Sequence, residues 1–597
     1  MRLSKFGWMV FAVPFGLAGQ PTVSRNVSDG LTPPSVAPGA PPGVKEISGL
    51  ERINLYNGSL SVVVPLLTIG GRGEAGYSMV ARVSAAPWTV NLDSVQGQAG
   101  YQHTAAATNR EQWPFEAPYS PGVVYAKRTG ASQVFCGSSG DWRFSIVYTH
   151  VVFEEPDGTQ IPLWDGRGHA GGCNGGINRG TRFESQGDAK VVFFANSPVI
   201  DSVTVSDPEK FAVSGTLQFP NGVKYLVDAG RIMKITDRNG NYVSLMYFGF
   251  YLTNVTDSAG RTTTIENDVY DGSQYIDRIT YKGTGGAART IRIKRVRFGT
   301  LPIRQGLSTG PPSFTNIATA QSMFDRLLTH IWLPDDRAYT FQYTRYGELA
   351  RMALPSGAAI EYDHGAGVSN AGLIAGAYAD GQVLDDPVFS INSDPGWRPS
   401  VYRRLLERRT YPTGNAPPEA TTTYSRRESV SAPNTSGGKV TALTVSLAGY
   451  LEETTSGATL PASVVRRHYF HETENSPNPS ETNFGSKSPL QNMLQAVPGL
   501  MPRLPSNDNP FEGIEYRTET PGLEKVERGY SMVNQTSSPM RRTTRLCQET
   551  TTLLNGANSR RKEQYFRYDL QGNPTETYEN ARRVSTGLRH LAWEFSD

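Results

Sequence analysis

Cysteine is rare in this chain, with only Cys136, Cys173 and Cys547 among 597 residues. Three cysteines are too few for a disulfide framework, and their spacing matches no zinc-binding pattern. Whether Cys136 and Cys173 form a disulfide is not decided by the sequence. An exported chain would be oxidised, but nothing in the sequence brings the two sulfurs together. We expect no metal site and no cofactor.

The chain also lacks an excess of charge of one sign, because it has 58 basic and 55 acidic side chains and a net charge of +3. A nucleic-acid-binding protein needs a basic footprint that neutralises phosphates, so we expect no nucleic-acid partner. The most basic short run, Ile291 to Arg297 (IRIKRVR), alternates apolar and basic residues. This period of two predicts a strand with its cations on one solvated face.

Long hydrophobic runs are absent, and no window reaches the roughly 18 apolar residues of a membrane-spanning helix, so the sequence predicts no transmembrane span in the mature chain. The N-terminus instead is typical of a secretory signal, with Arg2 and Lys5 before a short apolar stretch from Phe6 to Leu17. We expect residues 1–24 to be a signal peptide and the protein to be secreted or in the cell envelope. The alternative is a buried N-terminal segment of a cytoplasmic protein.

Helical periodicity is scarce, and the best helix candidates, Asn370 to Leu384 and Lys487 to Val497, are short. The chain has many turn-forming and strand-forming residues instead: 61 Gly, 40 Pro, 28 Tyr and 24 Phe. Aromatic and β-branched side chains suit a pleated surface, so the sequence predicts an all-β protein. The expected regions are a Pro/Ser/Gly-rich linker (25–46), an N-terminal β region (47–215), a repeat region (216–365), a loop or short-helix insertion (366–400) and further β repeats (401–597).

An internal near-repeat of about 20 residues is the most informative feature of the sequence. Ile235 to Tyr247 (ITDRNGNYVSLMY) is echoed by Val255 to Asn267 (VTDSAGRTTTIEN). Each copy consists of an apolar residue, Thr, Asp, two variable residues and Gly, and is followed by a predicted strand. In this alignment Asp237, Gly240 and Asn241 of the first copy correspond to Asp257, Gly260 and Arg261 of the second.

Related units recur elsewhere in the chain: Phe219 to Tyr225 (FPNGVKY), Leu333 to Tyr343 (LPDDRAYTFQY), Leu354 to Asp363 (LPSGAAIEYD) and Tyr565 to Thr575 (YFRYDLQGNPT). Each unit predicts a strand, a tight turn in which Asp or Asn hydrogen-bonds nearby backbone and Gly takes positive φ, and a returning strand. One hairpin cannot bury its apolar face alone, so successive hairpins should pair edge to edge into one sheet that closes or curls.

The repeat resembles that of the YD-repeat, or RHS, family, whose units centre on Tyr-Asp, two variable residues, Gly and a following Arg or Asn. The strongest match is the run from Tyr568 through Asp569 and Gly572 to Asn573. The family resemblance implies an extended antiparallel sheet of stacked hairpins that curls into a partial shell or barrel-like spiral. In toxin-bearing members such a shell encloses a C-terminal effector, and this chain shows neither that effector nor the family's Asp-Pro-x-Gly boundary. An effector or additional repeat segment outside this chain is therefore one expected partner.

Several sequence motifs resemble catalytic or cofactor-binding motifs of other proteins, but a structural role explains each of them better. Gly71 to Gly76 has the GxGxxG spacing, but the period-two sequence after it indicates a hairpin turn instead of a dinucleotide-binding helix. Gly306 to Gly310 has the GxSxG spacing around Ser308, yet two prolines follow and oppose the helix of a nucleophile elbow. His468 and His471 would share a helical face but diverge on the strand that their surroundings predict. The carboxylates at Asp335–Asp336, Asp363 and Asp385–Asp386 lie mostly in turn contexts.

We therefore expect no catalytic constellation. The leading hypothesis is an exported, non-enzymatic β-shell or binding scaffold whose partner is a carbohydrate, a cell-surface component or an enclosed C-terminal segment. The second is a cell-wall-associated adhesin. The third is an extracellular carbohydrate-active enzyme, which would need two carboxyl groups about 5–9 Å apart in a cleft.

Overall fold

We describe a computed structural model of the chain. It describes residues 44–47, 49–55, 58, 60–70, 73–84, 88–94, 101–107, 117–128, 131–136, 141–146, 149–165, 178–185, 190–200, 210–309, 326–366, 388–389, 401–414, 417–430, 434–436, 439–442, 445–457, 462–469, 515–534, 542–555, 558–568, 574–579 and 582–586.

The described residues are mainly β-strand, joined by turns and by two short 3-10 segments, Thr284–Gly286 and Phe298–Thr300, which confirms the predicted all-β fold class. The N-terminal part contains β1 Val44–Ile47, β2 Glu51–Asn54, β3 Leu60–Gly70, β4 Gly76–Ser84, β5 Trp88–Ser94, β6 Tyr101–Ala107, β7 Val123–Arg128, β8 Ala131–Cys136, β9 Asp141–Ile146, β10 Thr149–Glu154, β11 Gln160–Trp164, β12 Asn178–Ser185, β13 Val192–Ile200 and β14 Lys210–Ala212.

The repeat region contains β15 Gly215–Gln218, β16 Lys224–Asp228, β17 Arg231–Thr236, β18 Tyr242–Phe248, β19 Tyr251–Asp257, β20 Thr262–Tyr270, β21 Tyr275–Lys282, β22 Ala288–Val296, β23 Leu327–Trp332, β24 Ala338–Tyr343, β25 Leu349–Ala353 and β26 Ala359–Ala366. The remaining strands are β27 Val388–Phe389, β28 Val401–Tyr411, β29 Ala420–Val430, β30 Asn434–Ser436, β31 Lys439–Ala442, β32 Val445–Gly457, β33 Ser463–Tyr469, β34 Glu515–Thr520, β35 Glu524–Asn534, β36 Arg542–Asn555, β37 Asn558–Tyr568, β38 Pro574–Glu579 and β39 Arg582–Thr586.

One antiparallel sheet runs through most of these strands in chain order, because consecutive hairpins pair with each other edge to edge. Its first part closes on itself: β7, β10, β11, β12, β13, β15, β16 and β17 form a ring, completed where Arg231 of β17 pairs with Val123 of β7. Further along β17, Lys234 to Thr236 pair with β18 instead. The sheet therefore leaves the ring at β17 and continues to β39.

A separate four-stranded sheet, β1 to β4, supplies one layer of the main hydrophobic core. Val62, Val64 and Met79 from this layer are fully buried in the same cluster as Ile235 and Ile279 of the main sheet. We call the side of the main sheet that carries this cluster the core face and the opposite side the outer face. Because strand side chains alternate, each repeat strand contributes every second residue to the core face.

The repeat turns share one hydrogen-bonding pattern, which explains the periodicity of the sequence. In each turn, the N–H of the first residue donates to the carbonyl of the residue four positions later. The carbonyl of the first residue accepts from the N–H of the residue three positions later. Asp237 makes these two bonds with Asn241 and Gly240. The residue three positions on has positive φ. The same pattern is found in the turns that begin at Phe219, Asp237, Asp257, Gly283, Leu333 and Leu354. All of these turns connect a strand to the next at the same edge of the sheet, which we call the turn edge.

Three details concern the N-terminal strands. The segment from Phe144 to Glu154 is divided between two strands, β9 and β10. β12 begins at Asn178, at the end of the glycine-rich run from His169 to Gly180, and Arg179 there is buried. β1 begins at Val44, inside the segment assigned to the linker.

Other expectations concern residues outside those described. They are the signal peptide, both helix candidates, the thiols of Cys136 and Cys173, the side chains of His471, Asp385 and Asp386, and the repeat-motif residues Asp569, Gly572 and Asn573. Within the described ranges, no helix is long and apolar enough to cross a membrane.

Candidate functional site: the turn edge and the charged core face

The turns of the two adjacent repeat copies are built around buried carboxylates. Asp237 accepts hydrogen bonds from the backbone N–H groups of Asn239 and Asn241 and from the Asn241 side chain. These donors, with the Asn241 side chain contributing most, hold the pKa of Asp237 below its ordinary value. The charged carboxylate therefore acts as an internal template for the turn.

Asp257 repeats this arrangement with a different partner. It accepts from the N–H groups of Ala259 and Arg261 and from the Arg261 guanidinium, whose Nε lies 2.7 Å away. Burial would raise the pKa of Asp257, but these hydrogen bonds outweigh it and the net pKa is lowered. In the structure Asp237 and Asp257 begin their turns in the same way, and Gly240 and Gly260, three positions later, both have positive φ.

These turns also hold the β3–β4 hairpin in place. The Glu74 N–H donates to Asp237 Oδ2 at 3.2 Å, and Arg261 Nη2 donates to the Gly70 carbonyl at 2.7 Å. Gly73 at the hairpin tip has φ +62°, and a Cβ there would lie 1.9 Å from Asp237 Oδ2. Gly73 to Gly76, the described residues of the GxGxxG pattern, therefore lie in the β3–β4 hairpin, whose tip contacts the repeat turns.

Sequence reasoning missed the second part of the site, a row of charged and tyrosine side chains on the core face, which we call the ladder. It begins with Glu51 of β2, which is fully buried and receives two hydrogen bonds of 2.7 Å from Arg408. The Tyr362 hydroxyl also donates to Glu51, at 2.7 Å. These contacts join residues 311 and 357 positions apart, and no local pattern could have indicated them.

The ladder continues strand by strand towards the C-terminus. Tyr424 pairs directly with Glu453 across β29 and β32, and Glu453 lies 3.5 Å from Arg467. Arg467 and Arg528 each donate to Glu515 at 2.9 Å. Arg528 then reaches Glu549 at 3.0 Å. Opposite charges thus neighbour each other on five successive strands of the sheet, from β32 to β36.

Burial and solvent access change steadily along the ladder. Side-chain exposure is 0% for Glu51, 4% for Glu453, 15% for Glu515 and 27% for Glu549. Burial favours the neutral phenol, so the pKa of Tyr362 is raised well above its ordinary value, with Glu51 adding to the effect. Among the described residues after Ala366, the buried apolar side chains are Leu405, Tyr424, Leu451 and Tyr469. The core face therefore changes from an apolar core to a polar wall.

The basic run in β22 departs from its predicted arrangement at one residue. Arg292 and Lys294 point to the outer face, whereas Arg295 follows the alternation of the buried Ile291 and Ile293 and points to the core face. There Arg295 binds Asp277 and lies over the Tyr119 ring, 5.0 Å from its centroid. The prediction of a uniformly solvated basic face was wrong for Arg295.

The candidate catalytic motifs are placed as follows. Ser308 follows a turn and lines a small pocket with Asp363 and His364. The Asp363 carboxylate is bound by Arg304 at 2.5 Å and Arg409 at 2.6 Å, and His364 Nε2 lies 2.9 Å from the Leu349 carbonyl. His468 lies on strand β33, as predicted. Within the described ranges, no group of three His, Cys, Asp or Glu side chains could hold a metal ion.

Comparison with known proteins gives no family assignment. No protein-family model and no curated protein matches the sequence. Among solved structures, TcdB2-TccC3-TEV matches 90% of this chain at 10% identity and a TM-score of 0.15, and TcdB2-TccC3 matches 90% at 8% identity and a TM-score of 0.15. The chain spans about a quarter of the length of these structures, since it covers 24% and 23% of them. A TM-score this low carries no argument about fold or function.

Proposed function

We propose that the protein is an exported, non-enzymatic β-scaffold in which the core face of strands β28 to β37 is a polar wall around a hydrated compartment. The observation that carries the proposal is the ladder. A sheet face that packs against another layer is normally apolar, because burying unpaired charge costs several kcal/mol per ion. Here each charged ladder residue has an opposite charge beside it, and exposure rises towards Glu549.

The chemistry of such a wall favours a polar occupant. Carboxylates, guanidinium groups and tyrosine hydroxyls can exchange hydrogen bonds with water, with sugar hydroxyls or with a peptide backbone. They offer little apolar surface for a hydrophobic ligand. The proposed partner is therefore a carbohydrate, a cell-surface component or a polypeptide segment held inside the sheet. The apolar N-terminal layers, the ring and β1 to β4, provide the rigid base from which the wall extends.

Size-selective thiol labelling tests the wall directly. Val526 and Lys525 are neighbours in β35 that point to the core face and the outer face, and both are half-buried. In a background with all three native cysteines replaced by Ser, Val526→Cys and Lys525→Cys form a matched pair. We expect iodoacetamide to modify both, and a maleimide on a polyethylene glycol of about 5 kDa to modify only Lys525→Cys.

Two results would contradict the proposal. Equal labelling of both positions by the large reagent would mean that the core face is open to bulk solvent and encloses nothing. Protection of Val526→Cys from the small reagent as well would mean a dry interface instead of a hydrated compartment. Circular dichroism of each variant checks that the sheet is intact before labelling.

A further inference from the structure

The β18–β19 hairpin ends in an exposed apolar tip. Phe248 pairs with Tyr251 across the hairpin, and Gly249 and Phe250 form the loop between them. Exposure is 62% for Met246, 81% for Phe248, 57% for Phe250 and 44% for Tyr251. Large apolar side chains exposed side by side in this way are unusual and mark surfaces that meet another phase or partner.

A second aromatic tip lies beside the first. Tyr270 and Tyr275 face each other across the β20–β21 hairpin with ring centroids 5.4 Å apart, and they are 58% and 57% exposed. Because strands alternate in direction, the β18–β19 and β20–β21 connections lie at the same edge of the sheet, opposite the turn edge. With strands about 4.8 Å apart, the two tips are roughly 10 Å from each other along that edge.

Both tips have defined shapes. The Asp271 carboxylate accepts hydrogen bonds from the N–H groups of Ser273 and Gln274 and from the Ser273 hydroxyl, which closes the second loop. These bonds lower the pKa of Asp271 to about 2. Gly249 takes φ +56°, the conformation that a two-residue hairpin loop requires. The exposed rings are thus presented on short, closed loops.

The composition of the first tip discriminates between possible occupants. From Leu245 to Leu252 the sequence reads LMYFGFYL, with no charged, amide or carboxylate side chain. A sugar-binding surface needs hydrogen-bonding groups beside its aromatic rings, and this tip has few. A projecting apolar tip with tyrosines beside it matches the boundary between lipid headgroups and acyl chains, where Phe enters the apolar layer and Tyr stays at headgroup level. The charged Asp271 keeps the second tip at the headgroup level.

We propose that the edge formed by Met246, Phe248, Phe250, Tyr270 and Tyr275 docks on the surface of a lipid bilayer, with the β18–β19 tip inserted into the headgroup–acyl boundary. The attachment is peripheral and driven by apolar burial. It does not depend on anionic lipid, because the first tip carries no charge. This surface is distinct from the ladder and independent of the compartment proposed above.

Co-sedimentation of the full chain with phosphatidylcholine vesicles tests the proposal. We expect the wild-type chain to bind, and Phe248→Ser/Phe250→Ser to lower the partition coefficient at least about tenfold, since each buried phenylalanine contributes substantially to transfer. The matched control is Leu523→Ser/Leu553→Ser, which removes two exposed apolar side chains from another part of the sheet (65% and 49% exposed) and should bind like the wild type. Binding should persist in 0.5 M NaCl, a concentration of about three times physiological ionic strength.

A second measurement guards against loss of fold. In Phe248→Trp, the emission that the new indole adds to that of the eight native tryptophans, obtained by subtracting the wild-type spectrum, should shift to shorter wavelength when vesicles are added, as expected for a ring that leaves water. Absence of vesicle binding by the wild-type chain, or equal loss in tip and control variants, would overturn the proposal. Loss of vesicle binding in high salt would contradict apolar docking, because it would mean that electrostatic attraction holds the protein on the vesicle. If the tip variant abolished self-association in light scattering without any vesicle binding, the occupant would be a second copy of the chain.

Discussion

At the residue scale, the repeat turns share one backbone conformation, with positive φ at the same position. The position three residues after the turn start is glycine in five of the turns described above, and in the Leu333 turn it is Asp336, with φ +64°. An L-residue in this conformation is strained because its Cβ approaches its own backbone. Asp336 compensates in part by binding Arg292 at 2.5 Å, but its side chain is 84% exposed, so the ion pair contributes little.

Asp336→Gly should therefore stabilise the protein, by about 0.5–1 kcal/mol, because relief of backbone strain outweighs an exposed ion pair. The matched control is Asp336→Ala, which removes the same carboxylate but keeps the Cβ, and it should lower stability. Urea unfolding followed by circular dichroism measures both. Equal effects of Gly and Ala would show that the carboxylate, not the backbone conformation, determines stability at this position.

Individual side chains also mark the limit of pattern-based reasoning. The turn roles of Asp237, Gly240, Asp257 and Gly260 follow from the local sequence, because their hydrogen-bond partners lie within four residues. Arg295 belongs to the same basic run as Arg292 and Lys294, but it lies one position out of their alternation and shares the face of the buried Ile293. Its partners there, Asp277 and Tyr119, come from distant segments that spacing does not indicate.

At the scale of elements, the repeat period equals one hairpin, and this places similar turns along one edge of the sheet. That edge then becomes a docking surface for the β3–β4 hairpin, through Glu74 with Asp237 and Gly70 with Arg261. The hairpin itself was predictable from its glycines and its alternating strands. Its partner was not, because the contact joins residues 163 positions apart or more.

Gly73→Ala should displace this hairpin from the turn edge. The added Cβ would lie 1.9 Å from Asp237 Oδ2, so we expect a loss of about 2–4 kcal/mol from strain and displacement together. Gly49→Ala provides the control, since Gly49 has a similar φ of +70° but nothing within 4 Å of its Cβ position. It should cost only about 1 kcal/mol of backbone strain. Thermal unfolding of the two variants separates these effects, and similar losses would argue against tight docking.

For the whole molecule, the Glu51–Arg408 pair joins the N-terminal layer to the long sheet. Burial alone would lower the pKa of Arg408, but the hydrogen bonds and charge of Glu51 outweigh burial and raise it. Glu51 is fully buried and the Arg408 side chain is 10% exposed. Removal of one partner would leave the other charge buried, which is the costly case for ion pairs.

Arg408→Met should lower the free energy of unfolding by about 3–5 kcal/mol, because Glu51 would lose the guanidinium that offsets its charge while its carboxylate stays buried. Lys525→Met is the control: its pair with Glu527 is 30% and 25% exposed, and its removal should change stability by about 0.5 kcal/mol or less. Denaturant unfolding of both variants provides the comparison. A loss below 1 kcal/mol for Arg408→Met would mean that the two layers are held together by apolar packing alone.

The sequence by itself determined the strand-rich fold, the hairpin period and the chemistry of the repeat turns. These features depend on side-chain alternation, on glycine at positive φ and on hydrogen bonds that span four residues, all of which are local. Only the tertiary structure decided that β17 closes a ring with β7, that Glu51 meets Arg408, and that paired charges take the place of an apolar core beyond β26. Each of these depends on contacts between strands far apart in the chain, which local composition and spacing do not encode.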